Sequence, residues 1–199
     1  MANACLGLSK PSIECKLFDK WSFEGIEVND PGLAQVISLK PVRIPHSGGR
    51  HEKRKFWKYN VNIVERLVNR LAQTARAGGR KAKAINIVKD AFEIISLQTG
   101  KNPIEILVKA LINSAPREDT TRVSYGGIVY YQSVDISPGR RVDLAIRNIV
   151  DGAKMKSFKS RKTIAEALAE EIINAANNDD SSYAVTRKKE LERHAEASR

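Results

Sequence analysis

Apolar residues recur every three or four positions through most of the chain after residue 61, which is the period of an amphipathic helix. The first such stretch is NIVERLVNRLAQTAR, with an apolar stripe at Ile63, Val64, Leu67, Val68, Leu71 and Ala72. Gly78 and Gly79 follow this stretch and are expected to end the helix. The next stretch, KAKAINIVKDAFEIISLQTG, repeats the pattern up to Gly100. Both stripes predict helices that bury one face in a core.

Later helices are marked by residues typical of helix starts. Two starts combine an N-cap residue with a proline at the first helical position, namely Asn102 with Pro103 and Ser137 with Pro138. Thr163 and Glu166 have the spacing of a capping box, and a last helix is expected from about Ser182. The pattern predicts a mainly α fold, a bundle of five to six helices joined by short loops.

One stretch departs from the helical pattern, at about residues 120–136. It is rich in β-branched and aromatic residues, and Gly126 with Gly127 lies at its middle, where a tight turn needs positive φ. A lone two-stranded hairpin is marginal in water, and the rest of the sequence offers no sheet for it to join. We therefore predict a β-hairpin that protrudes from the bundle. A ribbon packed on a helix, with Val129 and Val134 buried, is the alternative.

Three regions are expected along the chain. Residues 1–39 are predicted to form an N-terminal extension laid over the core, 40–61 an extended basic arm, and 62–199 the helical domain that carries the hairpin. Cys5 and Cys15 are too few for a disulfide framework or a metal site, so they are expected to be reduced thiols. With no apolar run of membrane-spanning length and no signal sequence at the start, an internal, soluble protein is expected.

The charge of the chain is concentrated in one segment. The formal net charge is +11, and residues 40–83 contain thirteen basic residues against two acidic ones, Glu52 and Glu65. This segment accounts for the whole excess, because the remaining charges cancel. A second basic run spans residues 140–162. Unbalanced positive charge of this kind indicates a surface that binds phosphate groups of a polyanion.

Three of the five tyrosines, Tyr125, Tyr130 and Tyr131, lie at or near the predicted hairpin tip. Tyrosine rings stack on unpaired bases, typically with about 1–3 kcal/mol per base. A hairpin with such rings on a strongly basic body favours RNA as the partner.

Several motifs then carry a resemblance to a known family. They are AINIVKDAFEIISLQTGKNPIEILVKALINSAPREDTTR, QSVDISPGRRVDLAI, KTIAEALAEEIINAA and the ending SYAVTRKKELERHAEASR. In this order they resemble the universal small-subunit ribosomal protein S-seven family, called S-five in eukaryotes. The similarity extends from about Lys16 to Arg199, and KLFDKW with the carboxyl-terminal ending resembles the eukaryotic and archaeal branch.

The resemblance implies a structural, non-enzymatic constituent of the small ribosomal subunit in the cytoplasm, assembled in the nucleolus if the source is eukaryotic. Members bind ribosomal RNA in the subunit head, help to nucleate head assembly, contact neighbouring ribosomal proteins, and line the region of the messenger exit and the exit-site tRNA. No cofactor and no membrane partner is implied.

Carried onto this chain, the resemblance and the two basic runs assign residues to each partner. The residues expected to bind ribosomal RNA are Arg43, Arg50, Lys53, Arg54, Lys55, Lys58, Arg76, Arg80, Lys81, Lys83, Arg140, Arg141, Lys156, Lys159, Arg161 and Lys162. Those expected near messenger RNA and exit-site tRNA are Arg122, Tyr125, Gly126, Gly127, Tyr130, Tyr131 and Arg199. Where the family favours arginines at the hairpin tip, this chain has tyrosines. Stacking on RNA and packing on a neighbouring protein are the two explanations.

Other classes of function fit the sequence less well. No spacing places a nucleophile beside a base, and GGRK lacks the spacing of a P-loop. A helical DNA-binding regulator is the main alternative, but a helix-turn-helix over residues 81–113 carries no Arg, Asn and Gln cluster on its second helix to contact base edges. A scaffold that binds only proteins leaves the concentrated positive charge unexplained.

Overall fold

The computed structural model describes residues 15–73 and 78–199, which form a helical bundle with one β-hairpin. The elements are α1 (Pro31–Ala34), two 3-10 turns (Arg50–Lys53 and Trp57–Asn60), α2 (Ile63–Ala72), α3 (Lys81–Thr99), α4 (Pro103–Ser114), β1 (Glu118–Tyr125), β2 (Ile128–Asp135), α5 (Pro138–Ser157), α6 (Ile164–Ala176) and α7 (Tyr183–Ala197). The predicted fold class is confirmed. Within the described ranges, α2 to α7 are the long helices, and α1 is a single turn.

Local capping explains where the helices begin. The Asn102 side chain accepts a hydrogen bond from the backbone N–H of Ile104 at 3.1 Å, and the predicted capping box of Thr163 with Glu166 is formed in both directions. Ser182 caps α7 as expected. Ser137 holds the N-cap position of α5, but its side chain makes no capping hydrogen bond. Short-range side-chain chemistry therefore sets most of the helix starts.

The core is built around α6, which packs against α3, α4, α5 and α7. Four of its buried residues are alanines, and small side chains let the neighbouring helices approach closely. None of the helices in residues 15–73 and 78–199 combines the length and apolar character needed to cross a membrane.

The described segment before the arm, residues 15–39, lies on the bundle. Leu17 and Leu33 are fully buried in the common hydrophobic cluster, and the Trp21 ring meets Phe92 of α3 edge-on, with 5.8 Å between ring centroids. The rest of the predicted extension, including Cys5, lies outside the described residues, and Cys15 is an exposed free thiol. The division of the chain at residues 39 and 61 stays a prediction.

The basic arm is fastened to the bundle through Glu65 of α2. This carboxylate is buried and accepts hydrogen bonds from the backbone N–H and the hydroxyl of Ser47, each at 2.8 Å, and from Lys81 Nζ at 2.6 Å. Burial raises the pKa of Glu65, but the bonds from Lys81 and Ser47 outweigh it and hold that pKa below its usual value. Glu65 therefore stays ionised and fixes the path of the arm.

The hairpin is two-stranded, with Tyr125 paired to Ile128 across the turn. Gly126 and Gly127 have φ of 59° and 83°, the positive values that a two-residue hairpin turn needs and that glycine adopts without strain. Val129 and Val134 are exposed, so the alternative in which they are buried is wrong. Within residues 15–73 and 78–199, the hairpin is held at its base, where the Ser133 N–H donates to the Ser198 carbonyl at 3.3 Å.

We expect the outer part of the hairpin to contribute little to stability. Every residue from Thr121 to Gln132 is exposed, so replacing Val123–Gln132 with a short glycine turn should change the free energy of unfolding by less than about 1 kcal/mol. Urea unfolding followed by circular dichroism measures this change. A loss of cooperative unfolding in the shortened chain would show that the hairpin is part of the core.

Candidate nucleic-acid interface

A groove of about 610 Å³ opens between the arm, α2 and α5. The residues that line it include one acidic residue, Asp143, and five cations: Lys58, Arg66, Arg70, Arg140 and Arg147. Because the low-dielectric walls of a cleft focus the field of the charges that line it, such a groove attracts anions more strongly than a flat surface of equal charge. We refer to it as the basic groove.

Helical spacing places the charged side chains on facing walls. On α5, Arg140, Asp143 and Arg147 are three and four residues apart, so they lie on one face of the helix. On α2, Arg66 and Arg70 are also four residues apart. Both helices therefore bring guanidinium groups to the basic groove.

Asp143 orders two of the cations. Its carboxylate accepts from Lys58 Nζ at 2.6 Å and from Arg66 at 2.7 Å, and Arg66 also donates to the Val36 carbonyl at 3.1 Å. Burial raises the pKa of Asp143, but the bonds from Lys58 and Arg66 outweigh it and keep that pKa below its usual value. One carboxylate balances only one of the two cations, so the centre of the groove remains positive.

The other arginines of the groove differ in how freely they can bind a ligand. Arg70 is held by Asp151 at 3.2 Å and by the Gln73 side chain at 3.0 Å. Arg140 is exposed and makes one long contact, 3.4 Å, with Asp119. Arg147 is exposed and, within the described part of the chain, has no ion pair. Arg140 and Arg147 are therefore the guanidinium groups best placed to take a phosphate.

Many of the other cations predicted to bind ribosomal RNA are engaged within the protein. Those in ion pairs are Arg43 with Asp19, Lys81 with Glu65, Arg141 with Asp30, Lys156 with Glu171, and Lys162 with Glu170. Arg54 and Lys159 lie over the rings of Trp57 and Phe158. Those that are exposed and without an ion pair in residues 15–73 and 78–199 are Arg50, Lys53, Lys55, Arg80, Lys83 and Arg161. Arg76 lies outside the described residues. The assignment of these residues to RNA stays a prediction.

The residues predicted near messenger RNA and tRNA divide between the two ends of the hairpin. Tyr125, Tyr130 and Tyr131 are 83%, 55% and 62% exposed. Strand alternation puts Tyr125 and Tyr130 on one face and Tyr131 on the other, opposite Arg122. Arg199 is paired with Glu118 at the base, roughly 24 Å from the turn at about 3.4 Å per strand residue. Arg199 does not join the tip.

Sequence reasoning missed part of the basic groove. Arg66, Arg70 and Arg147 add to the basic runs but were not predicted as binding residues, and neither were Asn69 and Gln73, which also line the groove. The four-residue spacing of Arg66 and Arg70, and the seven-residue spacing of Arg140 and Arg147, were the available signals. Within the described residues, no group of histidine, cysteine, aspartate and glutamate is placed to hold a metal ion.

Comparison with known families gives a match over most of the chain. A family model described as ribosomal protein S7p/S5e matches residues 36–199. The matched range begins just before the arm and runs to the last residue. It therefore includes every residue that lines the basic groove and the whole hairpin.

Proposed function

Since the chain belongs to the ribosomal protein S7p/S5e family, it is a small-subunit ribosomal protein that binds ribosomal RNA, and we propose that the basic groove holds the RNA backbone. The observation that carries this proposal is the convergence of five cations with one carboxylate between α2, α5 and the arm. Phosphate contacts of this kind fix the position of a protein on nucleic acid.

The finer role that we propose is in the head of the small subunit. There the protein helps to nucleate head assembly, contacts neighbouring ribosomal proteins, and directs its hairpin toward the messenger exit and the exit-site tRNA. Two observations support this role: in the described part of the chain the hairpin is attached at its base, and its tip exposes three tyrosine rings. Such rings suit contacts with unpaired nucleotides.

The proposal is tested by measuring the affinity of the full chain for small-subunit ribosomal RNA and for duplex DNA of equal length. Counterion release makes both affinities fall as salt rises. We expect ribosomal RNA to bind more tightly than the DNA at every salt concentration. The reason is that the proposed groove is complementary in shape to one folded RNA and not to a regular DNA duplex. The protein should also sediment with small subunits after a high-salt wash.

Two results would contradict the proposal. Equal affinity for the RNA and the DNA would favour a DNA-binding regulator. Complete release from small subunits by the salt wash, together with weak binding to the free RNA, would remove the structural role in the subunit.

A further inference from the structure

Two large aromatic rings are exposed on the arm, next to the basic groove. Phe56 is 70% exposed and Trp57 is 40% exposed. The arm residues around them supply the cations Arg50, Lys53, Arg54, Lys55 and Lys58. Scattered single apolar residues are normal on a surface, but two adjacent rings among five cations call for a specific partner.

The Phe56 ring is the outer layer of a short stack. It packs on Tyr59 with 5.7 Å between centroids and 26° between ring planes. Tyr59 in turn lies against Gly139 in the first turn of α5, where an added Cβ atom would come within 2.6 Å of the tyrosine Cζ. The inner ring is therefore fixed between the arm and α5, whereas the high exposure of Phe56 leaves its outer face open for one further planar group.

The backbone at Phe56 is in an unusual conformation. Its φ is 60°, in the left-handed region that side chains with a Cβ adopt at a cost in free energy. The folded protein therefore has a strained backbone at Phe56, although the ring of this residue is largely exposed to solvent. Strain of this kind concentrates at binding sites, where it holds a side chain ready for a ligand.

The second ring, Trp57, is in contact with the cation Arg54. The Arg54 guanidinium carbon lies 4.9 Å from the centre of the Trp57 ring, within the range of a cation–π contact. The combination of ring faces and cations matches a nucleotide, which offers a planar base and a negative phosphate. A neutral aromatic side chain of a partner protein would pack on the rings but would bring no negative charge to balance the cations.

We propose that Phe56 and Trp57 form a platform that takes an unpaired RNA base on the outer face of Phe56, with the neighbouring phosphates on Lys53, Arg54 and Lys55. This proposal rests on the proposed function of the basic groove. Lys58 and Tyr59 line that groove, so an RNA strand bound there would continue over the arm and reach Phe56. The arm thereby distinguishes an unstacked nucleotide from a continuous duplex, which presents no free base face.

The test compares two polyanions, a short oligouridylate and inorganic polyphosphate of equal charge, which lacks bases. Phe56→Asn removes the ring and keeps a residue that tolerates left-handed backbone. We expect it to weaken oligouridylate binding by about 5- to 150-fold, the range for one stacked base, with no change in polyphosphate binding or in the salt dependence. In the parent, oligouridylate should quench the fluorescence of exposed Trp57 and polyphosphate should not.

Phe56→Tyr keeps the ring and should bind both polyanions like the parent. Leu97→Asn is the matched control, because Leu97 is 86% exposed and lies in the last turn of α3, not on the arm. An equal loss for both polyanions in Phe56→Asn, or no loss for either, overturns the platform. If Phe56→Asn binds RNA normally but is incorporated poorly into small subunits, beside neighbouring proteins, the platform is also overturned. The Phe56 ring is then assigned to a contact with a protein. Failure of the parent to bind ribosomal RNA would instead refute the proposed function itself.

Discussion

Replacing Arg140 and Arg147 together with glutamate should lower the affinity for small-subunit ribosomal RNA by at least about a hundredfold. Each arginine is expected to give one charge-assisted contact of about 1.5 kcal/mol or more, and two such contacts correspond to roughly this factor. Repulsion between the new carboxylates and the phosphates adds to the loss. Filter binding over a salt series measures both the affinity and the salt slope, which should fall by about one for each lost contact.

A control on another face separates the groove from the overall charge. Arg187→Glu with Arg193→Glu makes the same change in net charge on exposed positions of α7. Both double variants should keep their far-ultraviolet circular dichroism, because none of the four arginines is buried. If the α7 variant loses as much affinity as the groove variant, RNA responds to net charge alone and the basic groove is not the binding face.

The features that sequence analysis predicted well are those fixed by neighbouring residues. Asn102 and Thr163 cap their helices through bonds to residues two and three positions away. Gly126 and Gly127 define the hairpin turn by their own backbone freedom. Such short-range determinants lie within a few residues of each other in the sequence, so the pattern alone carries them.

The groove depends on contacts that the sequence does not display. Lys58 and Asp143 are 85 residues apart and meet at 2.6 Å. In the same way, Lys81 was predicted to bind RNA because it lies in a basic run, yet its partner in the fold is the buried Glu65. A count of charges along the chain shows that phosphates are favoured, but it does not show which cations folding has already paired.

Arg140 and Arg141, the arginine pair after the hairpin, also show that the sequence alone does not reveal which cations folding has paired. Successive residues on a helix are about 100° apart around its axis, so Arg140 and Arg141 cannot face the same way. Arg140 lines the groove. Arg141 is 12% exposed and holds Asp30 at 3.0 Å and the Pro116 carbonyl at 3.2 Å. The pair therefore has one member available to RNA and one that joins α5 to the N-terminal segment.

The largest effect on stability is expected at Glu171 of α6. Its side chain is fully buried and accepts hydrogen bonds from the Ser182 hydroxyl at 2.7 Å and from the Ala184 N–H at 3.1 Å, and it pairs with Lys156 at 2.9 Å. One carboxylate thus connects α5, α6 and the first turn of α7. The Glu171 carboxylate also lies at the N-terminus of α7, where a negative group interacts favourably with the positive end of the helix dipole.

Glu171→Ala should lower the free energy of unfolding by about 2–4 kcal/mol. The loss leaves a buried hydroxyl and a backbone N–H without their acceptor, but Lys156, at 27% side-chain exposure, can turn to water, so the full cost of an unpaired buried charge does not apply. Glu170→Ala is the matched control, since Glu170 pairs with Lys162 near the surface and should change stability by less than about 1 kcal/mol. Urea unfolding of the three proteins measures the difference. If both variants unfold at the same urea concentration, the buried carboxylate does not hold α7 on the bundle.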